Sequence, residues 1–228
     1  MDEFTFERLD VDGALLETAE RAGLSRATFL AATLGGSAAL LGGPAIDSAD
    51  GQGGGLPRGD VFILNYALVL EYLQAAFYTE AERMGALGGR TARAAEVVGS
   101  VERAHVDAFK GVLGRKAVKR PSFDFQGATE NPRAFLKTAV AFEDLAVAAY
   151  KGQATRIKSK AALTSALAIH SVEARHAAWM RYLFEVDPAQ SAFDQPQSRS
   201  EVTRVVRSTN FITGPPSTRA KRSPRYTG

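Results

Sequence analysis

Two short segments of the chain repeat the same spacing of a glutamate and a histidine within the frame Ser-Val-Glu-x-x-His. In the first copy Glu102 precedes His105 by three residues, and in the second Glu173 precedes His176 by three residues. Residues three apart on a helix lie on the same face, one turn from each other. A carboxylate and an imidazole held in this way form half of a metal site. Two of the three histidines of the chain belong to these motifs.

Each motif follows a lone glutamate that lies in an apolar helical pattern about thirty residues upstream. Glu71 precedes the first motif and Glu143 precedes the second. A tyrosine follows each of these glutamates seven residues later, Tyr78 in the first half and Tyr150 in the second. This repeat predicts two copies of a helical hairpin. Since a hairpin with a polar stripe in its apolar face is not stable alone, the two copies are expected to form a four-helix bundle.

The predicted bundle places four carboxylates on faces that point into the core. Burying an ionised glutamate without a partner costs several kcal/mol, and two divalent cations would balance four negative charges. The predicted metal ligands are Glu71, Glu102, His105, Glu143, Glu173 and His176. Oxygen-rich ligands with one imidazole per ion favour iron or manganese over zinc. The alternative is a bundle that keeps these residues only as satisfied polar groups.

Helix-capping and helix-breaking residues in the sequence predict where the helices begin and end. The four helices are expected at about 60–84, 91–113, 132–156 and 159–186. Asp60 is the predicted N-cap of the first helix, Asn131-Pro132 begins the third, and Asp187-Pro188 ends the fourth. The turn-rich connection at 115–130 is long enough to cross the bundle, so the second and third helices are expected to run parallel.

Three regions follow from this pattern. An N-terminal arm with a linker covers 1–57, the bundle covers 58–187, and a polar, basic and partly disordered tail covers 188–228, with one short helix near Val202 to Val206. The chain has 228 residues, a formal net charge of +3 and no cysteine. The absence of cysteine excludes disulfides, thiolate zinc sites and a cysteine nucleophile. The small net charge does not favour nucleic-acid binding.

The N-terminal arm contains a segment that resembles a twin-arginine export signal. Ser25-Arg26-Ala27-Thr28-Phe29-Leu30 matches the pattern Ser-Arg-Arg-x-Phe-Leu except at Ala27, and a small, apolar, glycine-rich stretch follows it. This predicts export to the periplasm or cell envelope. The alternative is a flexible arm on a cytoplasmic protein. The stretch is too short and too rich in glycine to predict a membrane span, and the terminal extensions are compatible with a homo-oligomer or a protein partner.

The constellation resembles the ferritin-like di-iron carboxylate superfamily. The segment from Ile63 to Tyr78 is most similar to bacterial ferritin-like proteins related to plant desiccation-related proteins, and the similarity extends over about 60–210. The resemblance implies an all-α, ferritin-like four-helix bundle with a long crossover between helices 2 and 3, and the ligand set given above. That family often carries an export signal, which favours the interpretation of the N-terminal segment. Its metal and its reaction are mostly unestablished.

The leading functional hypothesis is a protein with two iron ions that react with oxygen or peroxide. The activity would be that of a ferroxidase or a peroxide-detoxifying protein in stress protection. Two manganese ions with catalase-like chemistry are the alternative cofactors, and a non-catalytic structural or interaction module is the alternative class. His170 and Asp144 are weaker candidates for groups near the site, as are Tyr78 and Tyr150 for hydrogen-bonding or redox-active phenols.

Overall fold

Helices make up most of the computed structural model, which describes residues 55–214 of the chain. The α-helices in this part are α1 Arg58–Met84, α2 Gly89–Leu113, α3 Pro132–Ala154, α4 Lys160–Leu183 and α5 Arg199–Ser208. A short 3-10 helix, Gly114–Lys116, follows α2. Two short strands, β1 Ser122–Phe123 and β2 Ile212–Gly214, pair in antiparallel fashion.

The first four helices form a bundle of two hairpins. α1 packs along α2 and α3 packs along α4, with further contacts between α1 and α3 and between α2 and α4. Thr129, just before α3, donates to Glu80 near the end of α1 over 2.9 Å. Asn65, near the start of α1, bonds the chain just after α2 at Lys116 and Val118. α2 and α3 therefore run in the same direction, and the predicted all-α bundle with a long crossover is confirmed.

α1 lies at the centre of the core. It is long and apolar enough to cross a membrane by length and composition, but 72% of its most apolar window is buried inside the protein. Phe77 stacks on Phe135 with ring centroids 5.1 Å apart. It also makes edge contacts with Phe125 and Phe142. A helix that is apolar on nearly all sides belongs in such a core, so α1 does not indicate a membrane span.

Asp60 does not cap α1, which corrects the sequence-based expectation. The helix begins at Arg58 after Pro57, and no side chain caps it. Asp60 is instead fully buried in the first turn. Its carboxylate accepts hydrogen bonds from the backbone N–H of Lys158, at 3.1 Å, and of Ser159, at 2.8 Å. Asp60 therefore fastens the start of α1 to the start of α4.

The other helix ends lie close to the predicted positions, except at the C-terminal end of α4. Asn131 caps α3 by accepting from two backbone N–H groups. Gly85 ends α1 with φ of 64°, a left-handed conformation that glycine adopts without strain. α4 was expected to reach 186 but ends at Leu183. Glu185 adopts a left-handed φ of 62°, and the N–H of Val186 donates to Arg181, so the backbone turns before Pro188.

The segment after Pro188 returns to pack on the bundle. The N–H of Gln197 donates to the carbonyl of Ala148 over 3.0 Å. A Cβ at Gly152 would collide with the backbone of Gln197. The predicted short helix is α5, and its residues Val202 and Val206 join the main core cluster.

Some sequence-based predictions fall on other parts of the chain. The export signal at 25–43 and the end of the basic tail at 215–228 lie outside the described residues.

Candidate metal centre

The six predicted ligand residues lie together in the middle of the bundle. All four glutamates are fully buried, and the two histidines are nearly so. Their ligand atoms form two overlapping groups in which all atoms lie within 4.8 Å of one another. The first group contains Glu71, Glu102, Glu173 and His105, and the second contains Glu102, Glu143, Glu173 and His176.

Each helix of the bundle contributes to the cluster at one level. α1 and α3 supply Glu71 and Glu143, and each of these belongs to one group only. The Glu-x-x-His helices α2 and α4 supply Glu102 and Glu173, which belong to both groups. The two motif glutamates are thus shared by the two groups.

Distances from the two imidazoles define the two groups. His105 Nδ1 lies 3.2 Å from Glu71 Oε2 and 3.1 Å from Glu173 Oε1. His176 Nδ1 lies 2.9 Å from Glu102 Oε1 and 3.5 Å from Glu143 Oε2. The ring centroids of the two histidines are 6.3 Å apart. One imidazole therefore belongs to each group.

Several polar atoms of the cluster are buried without a hydrogen-bond partner. Within residues 55–214, this holds for both oxygens of Glu102, for Glu143 Oε2, for Glu173 Oε1 and for His176 Nδ1. Buried carboxylate oxygens without partners are costly. Cations placed among them would remove that cost, and oxygen ligands with one imidazole per ion suit iron or manganese. The residues are therefore compatible with a di-metal site.

The glutamates of the cluster have strongly perturbed pKa values. Burial raises the pKa of Glu71 to about 7, and the negative charge of Glu102 adds to this effect. Burial and the charges of Glu102 and Glu71 also raise the pKa of Glu173 well above its usual range. Burial acts in the same direction on Glu102, but the close approach and positive charges of the two imidazoles outweigh it and lower the pKa of Glu102 to about 2.

The neighbouring carboxylates raise the pKa values of the two imidazoles. Burial opposes protonation of His105, but Glu102, Glu173 and Glu71 outweigh burial and raise its pKa far above the usual value. Burial likewise opposes protonation of His176, while Glu102 and Glu143 raise its pKa to about 10. Protons on these groups balance the buried carboxylates when no cation is bound. Because a metal ligand must give up its proton, metal binding and protonation compete at this cluster.

Two tyrosines connect the hairpins at the cluster. Tyr78 on α1 donates to Glu143 Oε1 on α3 over 2.5 Å. Tyr150 on α3 donates to Glu71 Oε1 on α1 in a short hydrogen bond. Burial, reinforced by the neighbouring glutamates, raises the pKa of both phenols. Both tyrosines therefore stay protonated and orient the two glutamates that belong to one group each.

The two weaker candidates from the sequence lie apart from the ligand atoms. His170 belongs to neither group, and burial together with Lys151 lowers the pKa of its imidazole. Asp144 accepts two hydrogen bonds from Arg181, at 2.8 Å and 2.6 Å. Its carboxylate therefore holds a guanidinium of α4 and does not orient a ligand histidine.

Gln74 is a residue at the cluster that the sequence analysis missed. Its side chain is 2% exposed, and its Nε2 donates to Glu173 Oε2 over 3.3 Å. Gln74 lies three residues after Glu71, so both face the same side of α1. This Glu-x-x-Gln spacing has the same form as the Glu-x-x-His motifs, and it is the signal that could have identified the residue.

The family comparison agrees with the fold and with the cluster. A family model described as a ferritin-like domain matches residues 59–185. The match covers more than half of the chain and includes all six residues of the two groups. No curated protein matches the chain, and the closer relation to desiccation-related proteins stays a prediction. The chain belongs to the ferritin-like domain family.

Proposed function

We propose that this protein holds two iron or two manganese ions at the buried cluster and uses them in a reaction with oxygen or peroxide. The observation that carries the proposal is the set of four fully buried glutamates, three of which have carboxylate oxygens without hydrogen-bond partners within the described residues. Such an arrangement is costly in a metal-free core. It is favourable around a pair of divalent cations, which the two overlapping ligand groups would hold.

The side chains divide into two kinds in this proposal. Glu71 with His105, and Glu143 with His176, would each hold one metal ion, and Glu102 and Glu173, which belong to both ligand groups, would contribute to both. When bound, a pair of redox-active ions supplies electrons to dioxygen or peroxide. The chain's own contribution is to keep the carboxylates dry and oriented. The phenols that donate to Glu71 and Glu143 hold these ligands in place.

The identity of the metal separates the reactions that fit this site. With iron, the proposed reaction is the oxidation of Fe(II) as substrate, or the removal of peroxide. With manganese, it is the disproportionation of peroxide, which releases oxygen. These reactions use oxygen-donor ligands and one imidazole per ion. Fe(II) oxidation and peroxide-dependent oxygen evolution are therefore assayed on the same purified protein.

The first experiment is elemental analysis of the full chain purified without added metal. We expect about two ions of iron or manganese per chain, as in other bundles with this ligand pattern. Glu102→Ala and His176→Ala are expected to lower the metal content more than they lower expression. His170→Ala is the matched control, because His170 lies outside both ligand groups. It should keep the full metal content.

Two results would contradict the proposal. Full metal loading in His176→Ala would show that the ligand assignment is wrong. A wild-type chain that binds no metal, and whose melting temperature is unchanged by a chelator, would support a structural or interaction module instead.

A further inference from the structure

We propose that Gln74 makes the two metal positions unequal, so that the position beside His105 fills first and the position beside His176 fills second and more weakly. The inference rests on the proposed function and concerns the order in which the cluster takes up its ions. It begins from an asymmetry between the two halves of the internal repeat.

The repeat places different residues at the two positions that correspond to Gln74. A shift of 72 residues relates Glu71 to Glu143 and Tyr78 to Tyr150. The same shift relates Gln74 on α1 to Ala146 on α3. The first hairpin therefore carries an amide at a place where the second hairpin carries only a methyl group.

The surroundings of Gln74 direct its amide towards the cluster. The side chain borders a small cavity whose five other lining residues, Ala146 among them, are apolar. A buried amide among apolar groups is costly unless it is hydrogen-bonded, and its partner is Glu173 Oε2. The amide nitrogen of Gln74 faces this oxygen over 3.3 Å and donates to it. Ala146 provides no such donor on the opposite side of the cavity.

The two shared glutamates consequently have different surroundings. Glu102 directs Oε1 towards His176 Nδ1, at 2.9 Å, and Oε2 towards His105 Nδ1, at 3.6 Å. Neither of its oxygens has a hydrogen-bond partner in the part of the chain that the structure describes. Glu173 directs Oε1 towards His105 Nδ1, at 3.1 Å, while its Oε2 is held by Gln74. Both glutamates belong to both ligand groups, but only Glu173 already has one oxygen engaged by a donor of the chain.

This difference makes Glu173 unequally available to the two positions before any ion binds. The position beside His105 has Glu71, Glu102 and Glu173 ready to coordinate. At the position beside His176, the second ion must share Glu173 with the amide of Gln74. Groups that hydrogen-bond a metal ligand typically change metal affinity by about 10–100-fold. We therefore expect the two dissociation constants to differ by about tenfold or more.

The test is a titration of the metal-free full chain with Mn²⁺, in which electron paramagnetic resonance measures the free ion. The wild-type chain should bind two ions in two separate steps. Gln74→Met keeps the length of the side chain and removes its donor, so the ratio of the two dissociation constants should fall by about tenfold. Gln74→Ala, which copies the residue of the second hairpin, should act in the same direction. Leu145→Ala borders the same cavity without a polar contact and should leave the ratio unchanged.

Two histidine variants that keep Gln74 establish which position fills first. His105→Ala should remove the tight step, and His176→Ala should remove the weak step. The opposite pattern would overturn the proposed order. Two ions bound with an unchanged ratio in Gln74→Met would overturn the role of Gln74 and leave the proposed function standing. Uptake of fewer than two ions by the wild-type chain would overturn both.

Discussion

Loading the metal-free protein with two divalent ions at pH 7 should release about two to three protons, because the cluster holds protons where the ions would bind. The proton count follows from the pKa shifts of four groups. Those of His105 and His176 are raised, the latter to about 10, so each imidazole carries a proton at pH 7. Burial raises the pKa of Glu173 above its usual range as well, which acts in the same direction. Glu71, with a pKa of about 7, is about half protonated.

Calorimetry measures this release directly. The metal is titrated into the full metal-free chain at pH 7 in buffers with different ionisation enthalpies. The observed binding enthalpy then varies linearly with the ionisation enthalpy of the buffer, and the slope is the number of protons released. His176→Ala should lower that number by about one, since one imidazolium is absent.

The third histidine provides the matched control for this measurement. His170 lies outside both ligand groups, so an ion bound there does not displace a proton from its imidazole. His170→Ala should therefore leave the slope unchanged. A wild-type chain that binds two ions and releases less than about one proton would refute the argument that protons balance the buried carboxylates.

Four further predictions concern stability, the segment after Pro188 and export. The pKa of His176 is raised in the folded chain to about 10, so the stability it contributes is complete below pH 6.5 and is lost as the pH rises through 10. The melting temperature of the metal-free protein should accordingly fall between pH 7 and 10, and an unchanged value would contradict the assignment. Asp60→Ala should lower the free energy of unfolding in urea by about 1–3 kcal/mol, because two partly buried backbone N–H groups lose their acceptor; a change within error would show that water replaces the carboxylate. Gly152→Ala should displace the backbone at Gln197, which limited proteolysis would detect as faster cleavage after Pro188 with the helicity of the bundle retained; equal cleavage rates would count against this packing. Cell fractionation tests the export signal predicted at 25–43, and a chain found only in the cytoplasm would speak against it.

The bundle and the composition of its central cluster could be predicted because both depend on short-range spacing. Glu102 and His105 share a helix face by their separation alone, and so do Glu173 and His176. The repeat then implies that the two hairpins bring these faces together. The structure places all six side chains within two overlapping groups.

Residues that act across long sequence separations could not be identified in the same way. Asp60 has the composition and position of an N-cap, yet its partners lie almost a hundred residues away at the start of α4. The packing of Val202 and Val206 on the bundle is also a long-range contact. Their short, polar surroundings in the sequence resemble those of a solvated tail. Local patterns carry no information about which distant surface such a segment covers.

The reciprocal tyrosine–glutamate hydrogen bonds between α1 and α3 restrict how the two hairpins can move relative to each other. Tyr78 bonds Glu143 and Tyr150 bonds Glu71. On each of the two helices, the glutamate and the tyrosine are seven residues, or about 10 Å, apart. Sliding one hairpin along the other by a single residue, about 1.5 Å, would stretch both bonds at once. Two anchor points at that separation also oppose rotation about either one. The two hydrogen bonds therefore fix the register of the first hairpin relative to the second.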